Sequence, residues 1–274
     1  MTRFLSKQIP TFLCATSLFL SVVSAQLSAQ PHESRHSQQE ANTQVTSKLN
    51  APKIIFFDVN ETLLDLTAMR SSVGEALGGR DDLLPLWFST MLHHSLVDST
   101  TGRFHTFGEV GVASLLMVAE IEGIELTKAQ AKTAIVTPLR SLPPHPDVRD
   151  GLQALKDKGY KLVSLTNSSN QGVYTQFKNA DLLSYFDERL SVEDINLYKP
   201  DTRTYEWAIA KMGIAPEDAM LVAAHGWDIA GAKQAGWQAA FIARPGKVLY
   251  PLAIAPDTVV SGLDELVSQL PDAK

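Results

Sequence analysis

Four short apolar runs, each closing on polar side chains, constrain this 274-residue chain more than any other feature. Ile54-Ile55-Phe56-Phe57 ends in Asp58-Val59-Asn60-Glu61-Thr62, and Lys161–Leu165 ends in Thr166-Asn167. Met220–Ala224 ends in His225, and Ala239–Ala243 ends in Arg244. Continuous runs of this length are the pattern of strands buried on both faces. Helix-spaced apolar positions over 148–158, 171–180, 202–212 and 229–235 separate them. This alternation predicts an α/β fold with a Rossmann-like parallel sheet core. Ligands of such sheets bind beyond the carboxyl ends of the strands, so the polar residues that close the runs are expected to converge on one pocket.

Residues 67–141 follow a different pattern. Helix spacing covers 68–77, 83–96, 107–122 and 129–137 with no strand-like run between them, which predicts an inserted helical cap domain placed as a lid over the first strand. Leu142-Pro143-Pro144-His145-Pro146 stops helix and marks the return, so 53–66 and 142–274 are expected to form the core domain. At the front, Arg3 and Lys7 precede an apolar run from Thr11 to Val23 and small residues ending at Ala25. That is the pattern of a signal peptide over 1–25, with Ala29 as an alternative cleavage point, and it predicts a periplasmic or secreted protein. The run is too short for a good membrane span, which needs roughly 20 apolar residues, so none is expected after cleavage. Residues 26–52 are polar and read as a flexible linker. The net charge of −6 argues against a nucleic-acid partner, and the single cysteine, Cys14, excludes a disulfide framework and a thiolate zinc site.

Asp58 closes an apolar strand, where an acid is costly unless it is paired or faces a pocket. Capping the next turn is the plainer alternative. Thr62 offers a hydroxyl to hold that carboxylate, and Asn60 either satisfies a loop amide or meets a ligand. Thr166 and Asn167 read either as a helix cap or as donors to an anion. In Tyr198-Lys199-Pro200-Asp201 the proline fixes the backbone beside the lysine, so Lys199 is either a surface cation or one aimed at a carboxylate. Asp228 reads as a first-turn acid or as a group that orients water, and His225 as a general base or a packing residue.

As an ordered set these residues resemble the haloacid dehalogenase superfamily, most closely its type II (S)-2-haloacid dehalogenase branch. FFDVNETLLD, LTNSS, YKPDTRTYEWA and HGWDIAGAKQAGW are similar to its four motifs, and the resemblance spans roughly residues 53–260. It implies that Asp58 is a nucleophile forming an aspartyl ester with a small-molecule substrate, without cofactor or metal. Lys199 would steady Asp58, and Asp228, with His225, would position the hydrolytic water. Asn60, Thr62, Thr166, Asn167, Tyr205, His225, Trp87 and Phe88 would bind substrate, with Thr166 and Asn167 on its carboxylate; Tyr205 reads equally as core. A homodimer is left open.

Departures from the family matter. Asn60 stands where phosphatases of the superfamily carry a second acid, and their last motif usually has two acids where only Asp228 remains. Both losses favour a halide leaving group, which needs neither acid nor dication. The type II enzymes, however, carry an arginine after a Leu-Trp pair to receive the halide, and here Phe88 follows Leu86-Trp87. Ala223 and His225 also replace a serine and an asparagine. His93, His94, Arg70 and Arg103 are candidates to supply the missing cation. The alternatives are a phosphatase with an atypical metal site and a non-catalytic periplasmic binding protein.

Overall fold

A computed structural model describes residues 49–273. The signal-peptide reading of 1–25 and almost all of the linker reading of 26–52 lie outside the described residues. Among the described residues, no helix is long and apolar enough to cross a membrane.

Six strands form one wholly parallel sheet: β1 (Ile54–Phe57), β2 (Lys161–Thr166), β3 (Glu188–Ser191), β4 (Ala219–Ala223), β5 (Gln238–Ile242) and β6 (Thr258–Val260), in the spatial order β3-β2-β1-β4-β5-β6. The apolar runs are continuous because both sheet faces are covered. Ile55 and Phe57 point into one core with Leu162, Met220 and Val222, whereas Ile54 and Phe56 point into the other with Val163, Leu221 and Trp237. Strands buried on both sides cannot alternate with polar residues.

Nine helices are described: α1 (Arg70–Ala76), α2 (Leu84–Thr101), α3 (Phe107–Ile121), α4 (Lys128–Leu139), α5 (Val148–Asp157), α6 (Asn170–Asn179), α7 (Thr202–Met212), α8 (Gly226–Gln234) and α9 (Leu263–Gln269). Helices α5, α6 and α9 place apolar residues in the first core, and α7 and α8 in the second. The segment between β1 and β2 is helical, and its buried Trp87, Met91, Leu115 and Ile135 continue the first core. Capping boxes at Thr106/Glu109 and Thr127/Gln130 fix the starts of α3 and α4.

Two corrections concern strand ends: Ala224 and Ala243 lie just outside β4 and β5. Ala224 is freed from the ladder to donate its backbone N–H to the Thr62 hydroxyl at 2.9 Å.

The register positions the site. Phe57 lies level with Ser164 of β2 and Val222 of β4, so the chain just beyond all three strands meets at one place. Gly231 then brings α8 close to α7: a Cβ there would stand 2.6 Å from the Tyr205 hydroxyl and 2.7 Å from Pro200. Only glycine permits an approach that sets Asp228 beside Lys199.

Candidate active site

Asp58 leaves the end of β1 with its carboxylate almost fully buried and in contact with three donors. Oδ2 accepts from the Thr62 hydroxyl at 2.6 Å and from His225 Nδ1 at 3.0 Å, while Oδ1 accepts from Lys199 Nζ at 3.0 Å. Burial pushes its pKa up, but Lys199, His225 and the Thr62 hydroxyl outweigh that and hold it well below the usual carboxylate range. Asp58 is therefore an ionised, aligned carboxylate at any pH near neutrality.

Lys199 is completely enclosed. Its ammonium reaches Asp58, Asp228 Oδ2 at 2.6 Å and the Leu165 carbonyl at 2.9 Å, which uses all three of its hydrogens. Burial lowers its pKa, yet Asp228 and Asp58 raise it further. The second oxygen of Asp228 accepts from the Tyr205 hydroxyl at 2.5 Å. Asp228 is fully buried, with Lys199 on one oxygen and Tyr205 on the other, and so orients Lys199.

His225 lies on the other side of Asp58. Its Nε2 is 2.8 Å from Glu61 Oε2, and Glu61 Oε1 is in turn 2.5 Å from Lys247 Nζ. With a carboxylate oxygen at each ring nitrogen, only the imidazolium satisfies both contacts. Burial lowers the His225 pKa, but Asp58 and Glu61 overcome this and raise it to about 9. Three carboxylates (Asp58, Asp228, Glu61) are thus matched by three cations (Lys199, His225, Lys247).

A pH dependence follows. Because its folded pKa lies above the ordinary value, His225 contributes stability that is complete below about pH 6.5 and lost as pH rises through about 9. The loss over that window is expected to be on the order of 3 kcal/mol. Urea unfolding of the wild type across it should show the decline, and His225→Gln should remove it.

Around Asp58 the pocket closes to about 10 Å³, the room one water needs, between Asn60, Phe88, Phe107, Asn167, His225 and Trp227. The His225 ring stacks between Phe88, 6.2 Å away, and Trp227, 4.9 Å away. Phe107 also lines a second cleft of about 810 Å³, with Lys128, Lys132 and Arg140 on its wall. Neither Asp58 nor Lys199 lines that larger cleft.

Of the residues singled out in the sequence, Asp58, Asn60, Thr166, Asn167, His225 and Phe88 line the small pocket. Asn60 is held there by Ser168 Oγ at 3.2 Å and by Gln176 Nε2 at 2.8 Å. Asn167 accepts the Lys199 backbone N–H at 3.2 Å through Oδ1, while its Nδ2 is buried without a partner. Three readings need correction. Thr62 is fully buried between Asp58 and Ala224, so it aligns the Asp58 carboxylate and does not reach the pocket. Tyr205 is a core tyrosine anchoring Asp228. Trp87 donates its indole N–H to the Gly111 carbonyl at 2.8 Å and packs wholly inside the helical segment.

None of His93, His94, Arg70 and Arg103 lines the pocket; His94 faces the larger cleft and Arg70 turns toward Asp81. The partners that the sequence does not single out are Glu61, Lys247 and Gln176. Only Glu61 carried a signal, as an acid inside the loop that holds Asp58.

Fold and site together define a parallel α/β protein with a buried, lysine-paired aspartate at the carboxyl end of its sheet. The family model described as a hydrolase, haloacid dehalogenase-like hydrolase, matches residues 52–236. The (S)-2-haloacid dehalogenase of Pseudomonas sp. (strain YL) is 31% identical over 216 residues, which cover 78% of this chain and 93% of that protein. Haloacetate dehalogenase H-2 of Moraxella sp. (strain B) is 28% identical, covering 78% of this chain and 95% of that enzyme. The structure of L-2-haloacid dehalogenase from Xanthobacter autotrophicus superposes with a TM-score of 0.73 at 25% identity, covering 79% of this chain and 97% of that one. The chain belongs to the haloacid dehalogenase-like hydrolase family.

Proposed function

We propose that this hydrolase cleaves the carbon–halogen bond of short (S)-2-haloacids through an ester on Asp58. The observation that carries the reading is the Asp58 carboxylate itself. Oδ2 is occupied by Thr62 and His225, whereas Oδ1 accepts from Lys199 alone and keeps a lone pair for attack. Oδ1 attacks C2 from behind the halogen and the bond pair leaves with the halide, giving an alkyl ester that water then opens. The unpartnered Nδ2 of Asn167 suits the substrate carboxylate. The Thr166 hydroxyl accepts the Ser168 backbone N–H at 3.1 Å and has its own hydrogen to donate beside it. The activities of the relatives support the same assignment.

Lys199 already bridges Asp58 and Asp228, so the two acids find their countercharge within the chain. The closed pocket admits a haloacid only when α2 and α3, which carry Phe88, Leu92 and Phe107, move away from Asp58. The proposal also places the mature protein in the periplasm or outside the cell after cleavage of residues 1–25; detection in an osmotic-shock fraction tests this.

Phe88, Leu92, Phe107 and Trp227 supply the apolar lining of the pocket. With no arginine there to meet the departing charge, the rate should follow the intrinsic quality of the leaving group. Bromide release from (S)-2-bromopropionate is expected to exceed chloride release from the chloro compound by about 10-fold or more. Ion chromatography on the purified protein in EDTA measures both. Phosphate release from phosphate esters with magnesium, and no halide, would overturn the proposal.

A further inference from the structure

Glu61 has no part in the mechanism above, yet it occupies a demanding position. It is a non-glycine residue with φ of 65°, in the left-handed region, between the nucleophile Asp58 and its aligning partner Thr62. Holding an acid in that conformation costs energy that the surroundings must offset. Its side chain is bound at both oxygens, to His225 and to Lys247. His225 is fixed in its plane by Phe88 and Trp227, so the pair cannot swing apart without repacking the pocket.

We propose that Glu61 is a positioning residue that keeps His225 an imidazolium throughout the reaction, so that its Nδ1–H, with the Thr62 hydroxyl, holds the oxyanion formed on Asp58 Oδ2 when water opens the ester. The inference rests on the ester reading above. Both donors already address that one oxygen, at 2.6 and 3.0 Å. Thr62 has no other choice, because its oxygen accepts the Ala224 backbone N–H and its hydrogen is left for Asp58.

The need for Glu61 arises in the second half of the reaction. Esterification removes the negative charge of Asp58, and of the two anions against His225 only Glu61 remains. The other charged groups around the ring offer no substitute. Lys199 and Lys247 are cations, Asp228 is engaged by Lys199 and Tyr205, His145 contacts only the Glu61 carbonyl, and Arg244 is bound to Asp147 and the Thr62 carbonyl.

The step balances. Water oxygen bonds to Cγ of Asp58 and the carbonyl π pair moves onto Oδ2, between the two donors. The pair then returns as the Cγ–Oδ1 bond breaks. One water proton goes to the departing hydroxy-acid oxygen, the other to solvent when Asp58 ionises again. His225 gives up no proton. Oxyanion donors of this kind act by being in place before the charge develops.

The test has two readouts, one of them independent of turnover. Asp58→Asn is a neutral stand-in for the esterified aspartate. With ¹⁵N-labelled histidine, NMR titration of Asp58→Asn should show His225 protonated well above neutrality. Adding Glu61→Gln should bring its midpoint down by about 2 pH units. An identical titration with and without Glu61, or a neutral His225 at pH 7 in the wild type, overturns the proposal.

In the turnover arm, Glu61→Gln mixed with (S)-2-bromopropionate should release one equivalent of bromide at a near-normal rate and then slow by about 100-fold. The ester should accumulate on Asp58 by mass spectrometry, and Glu61→Asp should restore part of the rate. Slowing of the bromide burst itself, with no ester accumulation, contradicts the assignment to the second half-reaction. A wild type that releases no bromide overturns the dehalogenase reading and the oxyanion role with it, while the titration still decides whether Glu61 holds the charge.

Discussion

Asp58→Asn is expected to lower halide release by on the order of 10⁴-fold or more, the range seen when a catalytic nucleophile is removed. The substitution keeps the shape of the side chain and removes its charge. It should leave the fold intact, because Lys199 still faces Asp228 and His225 still faces Glu61. Circular dichroism and urea unfolding beside the halide assay separate the two effects. A soluble, folded Asp58→Asn protein retaining more than a few per cent of the activity would remove Asp58 from the centre of the account.

The largest effect on stability is expected at Lys199. Lys199→Met deletes a fully buried ammonium and leaves Asp228 without a countercharge and Asp58 with His225 alone. Breaking a buried ion pair from one side costs about 3–5 kcal/mol, because the remaining charge can be neither solvated nor paired. Burial would then raise the pKa of Asp228, as it does for any acid enclosed without a cationic partner. Activity should therefore fall together with stability, by on the order of 100-fold or more. Adding Asp228→Asn to Lys199→Met removes one uncompensated charge and should recover part of the stability. It should recover little of the rate, since Asp58 Oδ1 still lacks the ammonium that aligns it. Chemical denaturation and halide assays on the single and double variants decide this. Full recovery of the rate in the double variant would show that Lys199 serves only to neutralise Asp228.

The sequence exposes those parts of the fold that bury apolar residues on both sides. β1, β2, β4 and β5 are fully or almost fully enclosed, so each reads as a continuous apolar run. β3 begins with Glu188 and Arg189, which are not buried, and β6 has three residues at the sheet edge with only Val260 buried. Neither can produce such a run, and the short α9 beyond β6 is missed with it. Helix α2 extends past the apolar pattern to Thr101 because its end is held by polar contacts, Ser99 Oγ accepting the Tyr198 backbone N–H and Asp98 Oδ2 meeting His105, which leave no apolar period.

In the site, Asp58, Lys199 and Asp228 are legible because ionisable residues at the ends of buried strands and beside a fixed proline are costly, and their order along the chain resembles a known motif set. What the sequence cannot give is which oxygens are already occupied. Thr62, Tyr205 and Trp87 differ from pocket residues only in where their polar atoms find partners, and that depends on packing. Lys247 and Gln176 reach the site from loops and helices with no pattern linking them to Asp58.

The central claim is that Asp58 carries the substrate as an ester and that water attacks its Cγ. A single turnover in oxygen-18 water, with enzyme in excess over (S)-2-bromopropionate, tests it most directly. The peptide containing Asp58 is expected to gain one oxygen-18, and the released 2-hydroxy acid to carry none. Oxygen-18 in the hydroxy acid and none in Asp58 would contradict it, because water would then have displaced the halide without a covalent intermediate.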